Sequence, residues 1–170
     1  MKLSRNRIIL IIAGLILAYF AVPFPFLSDA GRDDARESAI RWLLRHHSLA
    51  IQKGYQVCFV VIGTQFDPHE DNGCHMEDPT KKFVDRLSDF PVPVFPASQG
   101  VPRKLSGVMD KQGRPGVIFG AGNVKRWSLG IAVCRGYFYE GGLSAGGYDI
   151  YMLHLPFLWI PVGGRNLWAS

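Results

Sequence analysis

The sequence predicts an α+β fold: an apolar N-terminal membrane or signal helix, then one helix packed on a curved antiparallel sheet. Three observations carry it. Apolar side chains recur at helical spacing across residues 33–52. From Leu105 onward the chain divides into short apolar, β-branched and aromatic segments separated by Gly- or Pro-containing turns. The 19 glycines and 11 prolines among 170 residues favour strands and turns over long helices. The length suits one compact domain, and 48% apolar with 19% charged residues excludes a disordered chain.

The first element is the apolar run Ile8–Leu27, which no charge interrupts and which Lys2, Arg5 and Arg7 precede. At about 1.5 Å per residue it is long enough to cross about 30 Å of hydrocarbon. Its basic flank places the first residues in the cytoplasm and the rest of the chain outside. A single-pass inner-membrane protein is therefore expected. Ser28-Asp29-Ala30 also sets small residues at the −3 and −1 positions of a cut after Ala30, so a cleaved signal and a periplasmic or secreted domain is the alternative. On either reading residues 31–164 form one exported domain and 165–170 a short tail.

Asp33 and Asp34 are N-cap residues for a helix reaching about Gln52. Ala35, Ala39, Trp42, Leu43, His46 and Ala50 form its apolar stripe, with Arg36, Arg41 and Arg45 opposite. Glu37 and Arg41 make a favourable i,i+4 pair, and Gly54 supplies the stop. Tyr55–Ile62 is apolar on both faces, as an interior strand would be. After an irregular polar stretch, Asp78-Pro79-Thr80 opens a short helix to about Phe90 that turns Phe83, Val84 and Leu87 inward. Pro91, Pro93 and Pro96 then permit only an edge strand. Leu105–Asp110 and Gly116–Trp127 flank a hairpin turn at Lys111-Gln112-Gly113-Arg114. Ile131–Glu140, Tyr148–Leu155 and Leu158–Val162 complete an antiparallel meander. Gly120, Gly122, Gly136, Gly141 and Gly142 suggest bulges and curvature in it.

The stretch Ile131–Tyr148 carries Val133, Gly136, Tyr137, Leu143, Ser144 and Ala145, followed by Tyr151 and Trp159. This V-x-x-G-Y…L-S-A pattern resembles the C-terminal half of small exported bacterial proteins of unknown function. The resemblance covers about half of the chain. It implies an NTF2-like or cystatin-like curved sheet and no catalytic residue.

Candidate chemistry is sparse. The loop at residues 67–78 collects His69, Cys74, His75 and Asp78, which could ligate a divalent metal, although their spacing matches neither a zinc motif nor an EF-hand. No other cofactor is implied. In an oxidising compartment thiols pair, so Cys74 could bridge to Cys58 or to Cys134; the alternative is three free thiols. His46 and His47 are adjacent on a helix, about 100° apart, so one faces inward and one faces solvent. Ser144, His154 and Asp149 can be written as a triad, but Gly142-Leu143-Ser144-Ala145-Gly146 lacks the nucleophile-elbow spacing, and Asp149 and His154 fall on opposite strand faces. No catalytic residue is assigned.

Trp42, Trp127, Tyr137, Tyr139, Tyr148 and Tyr151, with Trp159 from a neighbouring strand, either fill the core or line a pocket for an apolar ligand. Beyond residue 30 the chain holds 16 basic and 13 acidic residues, too even a balance for a nucleic-acid footprint. The expected function is a non-enzymatic, envelope-located module that binds a protein or a small apolar ligand. The competing readings are a metal-dependent or acid–base enzyme using residues 67–78 or a sheet pocket, and a structural accessory subunit of a membrane complex.

Overall fold

The computed structural model describes residues 9–11, 13–14, 17, 29–47, 54–63, 76–103, 107–126, 130–141, 144–155 and 158–169. Helix α1 spans Asp29–His46. It starts ahead of Asp33 and Asp34, which therefore lie inside it and do not cap it. Their carboxylates are taken by arginines instead: Asp33 accepts from Arg36 at 3.3 Å, and Asp34 pairs with Arg86. Gly54, with φ +89°, turns the chain into the first strand; the expected helix end near Gln52 lies outside the described residues. Among the described residues no helix is long and apolar enough to cross a membrane; most of the run 8–27 lies outside them.

Nine strands among the described residues form one mixed sheet. They are β1 Val57–Gly63, β2 Met76–Glu77, β3 Val94–Pro96, β4 Val101–Arg103, β5 Gly107–Met109, β6 Pro115–Arg126, β7 Ile131–Gly141, β8 Ser144–Leu155 and β9 Leu158–Ala169. The order β2-β1-β6-β7-β8-β9 is extended by β3 beside β1 and by β5, with β4 behind it, beside β6. The expected all-antiparallel arrangement holds for β5–β6–β7–β8–β9 but not for β1. That strand runs parallel to both β6 and β3. The reason is the connection from β1 to β3, which contains α2 (Lys81–Asp85) and is long enough to cross over and return in the same direction. As its apolar pattern requires, β1 is interior, and Val57 to Val61 are all buried.

Thr80 caps α2, its hydroxyl accepting the Phe83 N–H at 3.3 Å. Phe83 and Leu87 drop into the core. Arginines fasten this corner to α1. Arg86 Nε reaches Glu37 at 3.2 Å. Arg41 donates to Glu37 at 2.9 Å, to both oxygens of Asp89 at 2.8 and 2.9 Å, and to the Arg86 carbonyl at 2.6 Å.

The sheet register sorts side chains onto two faces. On one, α1 lies across β6, β7 and β9. Ala35, Ala39, Ile40, Leu43 and Leu44 pack there on Cys58, Val60, Phe119, Ala121, Cys134, Ile150 and Met152. Gly136 allows this approach, because a Cβ there would press on Leu43 and Ile150. A bulge between Ala121 and Val124 turns the Gly122 carbonyl toward Arg36 Nε, 3.3 Å away. On the reverse face Val57, Phe59 and Val108 form a smaller core with Phe95, Ile118 and Tyr139. Bulges do occur beside Gly122 and Gly141, whereas Gly120 is a seat for the Tyr137 ring across the β6–β7 pair.

The last strand is longer than expected. It does not end at Val162 but continues to Ala169, and residues 165–169 are its second half and no loose tail. The register pairs Gly147 with Trp168, and the indole lies over the bare glycine. That cross-strand fit holds the segment in place.

Candidate functional site

The sheet separates most of the residues picked out by sequence. Trp42 and Tyr148 lie on the α1 face, with ring centroids 5.7 Å apart and edge to face. Tyr137, Tyr139 and Tyr151 alternate onto the reverse face through their register with Gly147, Ala145 and Val133. The six aromatic residues therefore do not line one pocket, and Trp127 lies outside the described residues. The metal candidates His69, Cys74 and His75 also lie outside them. Asp78 is described, and its carboxylate accepts the Ser98 N–H at 3.0 Å. Among the described residues no three His, Cys, Asp or Glu side chains converge.

Cys58 and Cys134 are free and buried, so the bridges expected through them are not formed. Both sit in the core beneath α1, where burial pushes each thiol up to about 12. They are small core residues and poor nucleophiles. Asp149 sits between Arg135, 3.5 Å away, and Arg165, 3.1 Å away. His154 rests on Trp159, with centroids 4.5 Å apart. Asp149 and His154 are on opposite faces of β8, and the written triad is not assembled. Ser144 donates to Glu140 at 2.8 Å.

What the fold does assemble is a groove between the C-terminal half of α1 and the start of β9. Its volume is about 360 Å³, and Ser38, Arg41, Trp42, Arg45, Leu158, Trp159, Ile160 and Pro161 line it. The four helical residues follow i, i+3, i+4 and i+7 spacing, which puts them on one side of α1. Trp42 is held in place from three directions. It stacks on His46 at 4.5 Å and 11°, meets Tyr148 edge-on, and covers Gly164 of β9. His47 packs on Phe138 at 4.0 Å and so leans toward the sheet, while His46 is exposed.

The two cations of the groove differ. Arg41 is committed: its bond to Asp89, together with Glu37, raises its pKa despite partial burial. The same bond lowers Asp89. Arg45 is exposed and makes no hydrogen bond or ion pair among the described residues. Its position in the last helical turn suits the negative end of the helix dipole. Across from these cations, at the start of β9, Trp159 is 7% exposed and packs with the core under α1, while Leu158 beside it is 54% exposed.

A second, smaller hollow of about 200 Å³ lies on the reverse face around Phe59, Phe95 and the 110–114 turn. Its one acid, Asp110, is used up by the turn. Burial would raise that carboxyl, but the Arg114 N–H at 2.8 Å, the Arg114 guanidinium at 2.5 Å and the Gln112 N–H at 3.0 Å hold it below the usual range. Comparison of the chain with family models, with curated proteins and with solved structures gives no match. Among the described residues the groove is the larger of the two hollows and the one lined by both tryptophans and cations.

Sequence reasoning named Trp42 and Trp159 for a pocket and missed Ser38, Arg41, Arg45, Leu158, Ile160 and Pro161. The helical half had a signal, the one-sided spacing of Ser38, Arg41, Trp42 and Arg45. The strand half had none, since only the sheet brings Leu158 to Pro161 beside α1.

Proposed function

We propose that this chain is an exported, membrane-tethered, non-enzymatic module that binds a small apolar ligand in the groove between α1 and β9. One observation carries the reading: a cavity of about 360 Å³ lined by Trp42, Trp159, Leu158, Ile160 and Pro161, with Ser38, Arg41 and Arg45 as its polar groups, within the size range of small-molecule sites. The tether is the uncharged run Ile8–Leu27 behind Lys2, Arg5 and Arg7. One helix across the β6–β9 meander is the supporting feature for a cystatin-like or NTF2-like lineage.

A neutral apolar fluorophore such as N-phenyl-1-naphthylamine tests the ligand reading. It binds saturably with about one site per chain, and Leu158→Asp abolishes that site while leaving the far-UV spectrum unchanged. Binding that survives Leu158→Asp rejects the groove. The tether is tested by intact mass in membrane and soluble fractions. A full-length chain confined to membranes supports it, and a soluble chain beginning at Gly31 replaces it with a cleaved signal.

A further inference from the structure

We infer that the groove takes an amphiphile carrying one anionic headgroup, a carboxylate or a phosphate, and that Arg45 is the residue that binds it. This rests on the groove reading above and adds the headgroup chemistry. The argument is an inventory of donors. A guanidinium presents five N–H groups. Arg41 spends one on Glu37, one on Asp89 from Nη1, and two from Nη2 on Asp89 and the Arg86 carbonyl. One N–H is left. Arg45, one helical turn on, spends none on any described residue. The groove therefore carries a full, undirected fork of donors at one wall.

The opposite wall is Leu158, Trp159, Ile160 and Pro161. No acidic side chain lines the groove; Glu37 and Asp89 are paired with Arg41, and Arg45 acts on Asp89 only through its charge, with no hydrogen bond or ion pair. An apolar chain lying on Trp42 and Trp159 would bring its polar end to Arg45, with the Ser38 hydroxyl within the same lining. A planar guanidinium binds carboxylate and phosphate oxygens in bidentate fashion. A cationic headgroup would meet two like charges there. A neutral one would forgo the charge-assisted bonds, which are roughly twice as strong as neutral ones.

The test uses the full chain in nanodiscs of neutral lipid and a matched pair of probes, 6-bromohexanoate and 6-bromohexan-1-ol. The bromine quenches nearby indoles, so saturable quenching that is reduced in Trp42→Phe and lost in Trp42→Phe/Trp159→Phe reports occupancy of the groove, which both indoles line. The acid binds at least tenfold more tightly than the alcohol. In Arg45→Gln, which breaks no hydrogen bond or ion pair with a described residue, the acid falls to the affinity of the alcohol while the alcohol is unchanged. Arg45→Lys keeps most of the preference. Competition by 6-bromohexyl phosphate then assigns the headgroup, phosphate if it displaces the acid at lower concentration and carboxylate if not. Equal affinity for acid and alcohol in the native chain, or an acid preference that survives Arg45→Gln, overturns the role of Arg45 and leaves a groove for a neutral chain. Absence of saturable quenching by either probe rejects the groove reading itself.

Discussion

Placing a single methyl group at Gly120 tests the packing of the sheet directly. Gly120 on β6 lies opposite Tyr137 on β7, and a Cβ there would fall inside the tyrosine ring. The backbone at Gly120 is not in the left-handed region, so Gly120→Ala adds a steric conflict with no backbone strain. Tyr137 is only 6% exposed, and the ring has either to shift within a filled layer or to leave it. A shift costs about 1–3 kcal/mol, as overpacking does. Leaving forfeits roughly 150 Å² of burial, or about 4 kcal/mol at 25 cal/mol/Å². We expect about 2–3 kcal/mol of destabilisation, read from urea unfolding by tryptophan fluorescence and repeated by circular dichroism.

The double mutant decides the cause. Tyr137→Ala alone costs about 3 kcal/mol as a large-to-small change. In that background Gly120→Ala meets no ring and gains about 0.5 kcal/mol by replacing a strand glycine. The two changes should therefore be non-additive by about 2.5–3.5 kcal/mol. Additivity within about 0.5 kcal/mol, as for distant sites, would refute the claim that Gly120 exists to seat Tyr137.

Two further outcomes are expected. Cys58 and Cys134 keep their protons in the folded chain up to about 12, against about 8.5 when unfolded. Their protonated forms thus contribute fully below about pH 8.5, and that contribution is lost as pH rises toward 12. The loss is about 1.4 kcal/mol per thiol per pH unit in that window. Stability measured between pH 8 and 10 should fall more steeply in the native chain than in Cys58→Ala/Cys134→Ala, and maleimide should label neither thiol before unfolding; equal slopes count against the burial argument. Trp168→Ala should destabilise the chain by about 2 kcal/mol, roughly half the cost of a fully buried aromatic, because its indole covers Gly147. An unchanged midpoint would return residues 165–169 to the status of a tail.

Several elements were legible one at a time. The apolar Val57–Val61 run announced a strand buried on both faces, Thr80 announced a capped helix, and the turn at Lys111–Arg114 announced a hairpin. Each depends on a local rule, whether periodicity, a side chain reaching its own backbone, or a glycine with φ +78° at Gly113. The start of α1 was misplaced because Asp33 and Asp34 look like caps until Arg36 and Arg86, one of them distant in sequence, take their carboxylates. Residues 165–170 were expected to be a short tail, yet β9 continues to Ala169. Gly164 makes room for Trp42, and Trp168 has Gly147 across the sheet to rest on.

The sequence by itself determined the class of the molecule, α+β and mostly sheet, because hydrophobic period and turn chemistry act over a few residues at a time. It also determined that the two strand cysteines would be core residues or partners, without choosing. Tertiary structure decided the rest: the parallel placement of β1, the division of the aromatic residues between two faces, and the free state of Cys58 and Cys134. It also created the groove, whose walls come from α1 and β9 at opposite ends of the domain. Pairing direction and strand neighbours depend on where a long connection returns. No window of local residues encodes that choice, since it is made by the fit of distant surfaces, such as an aromatic ring over a bare glycine.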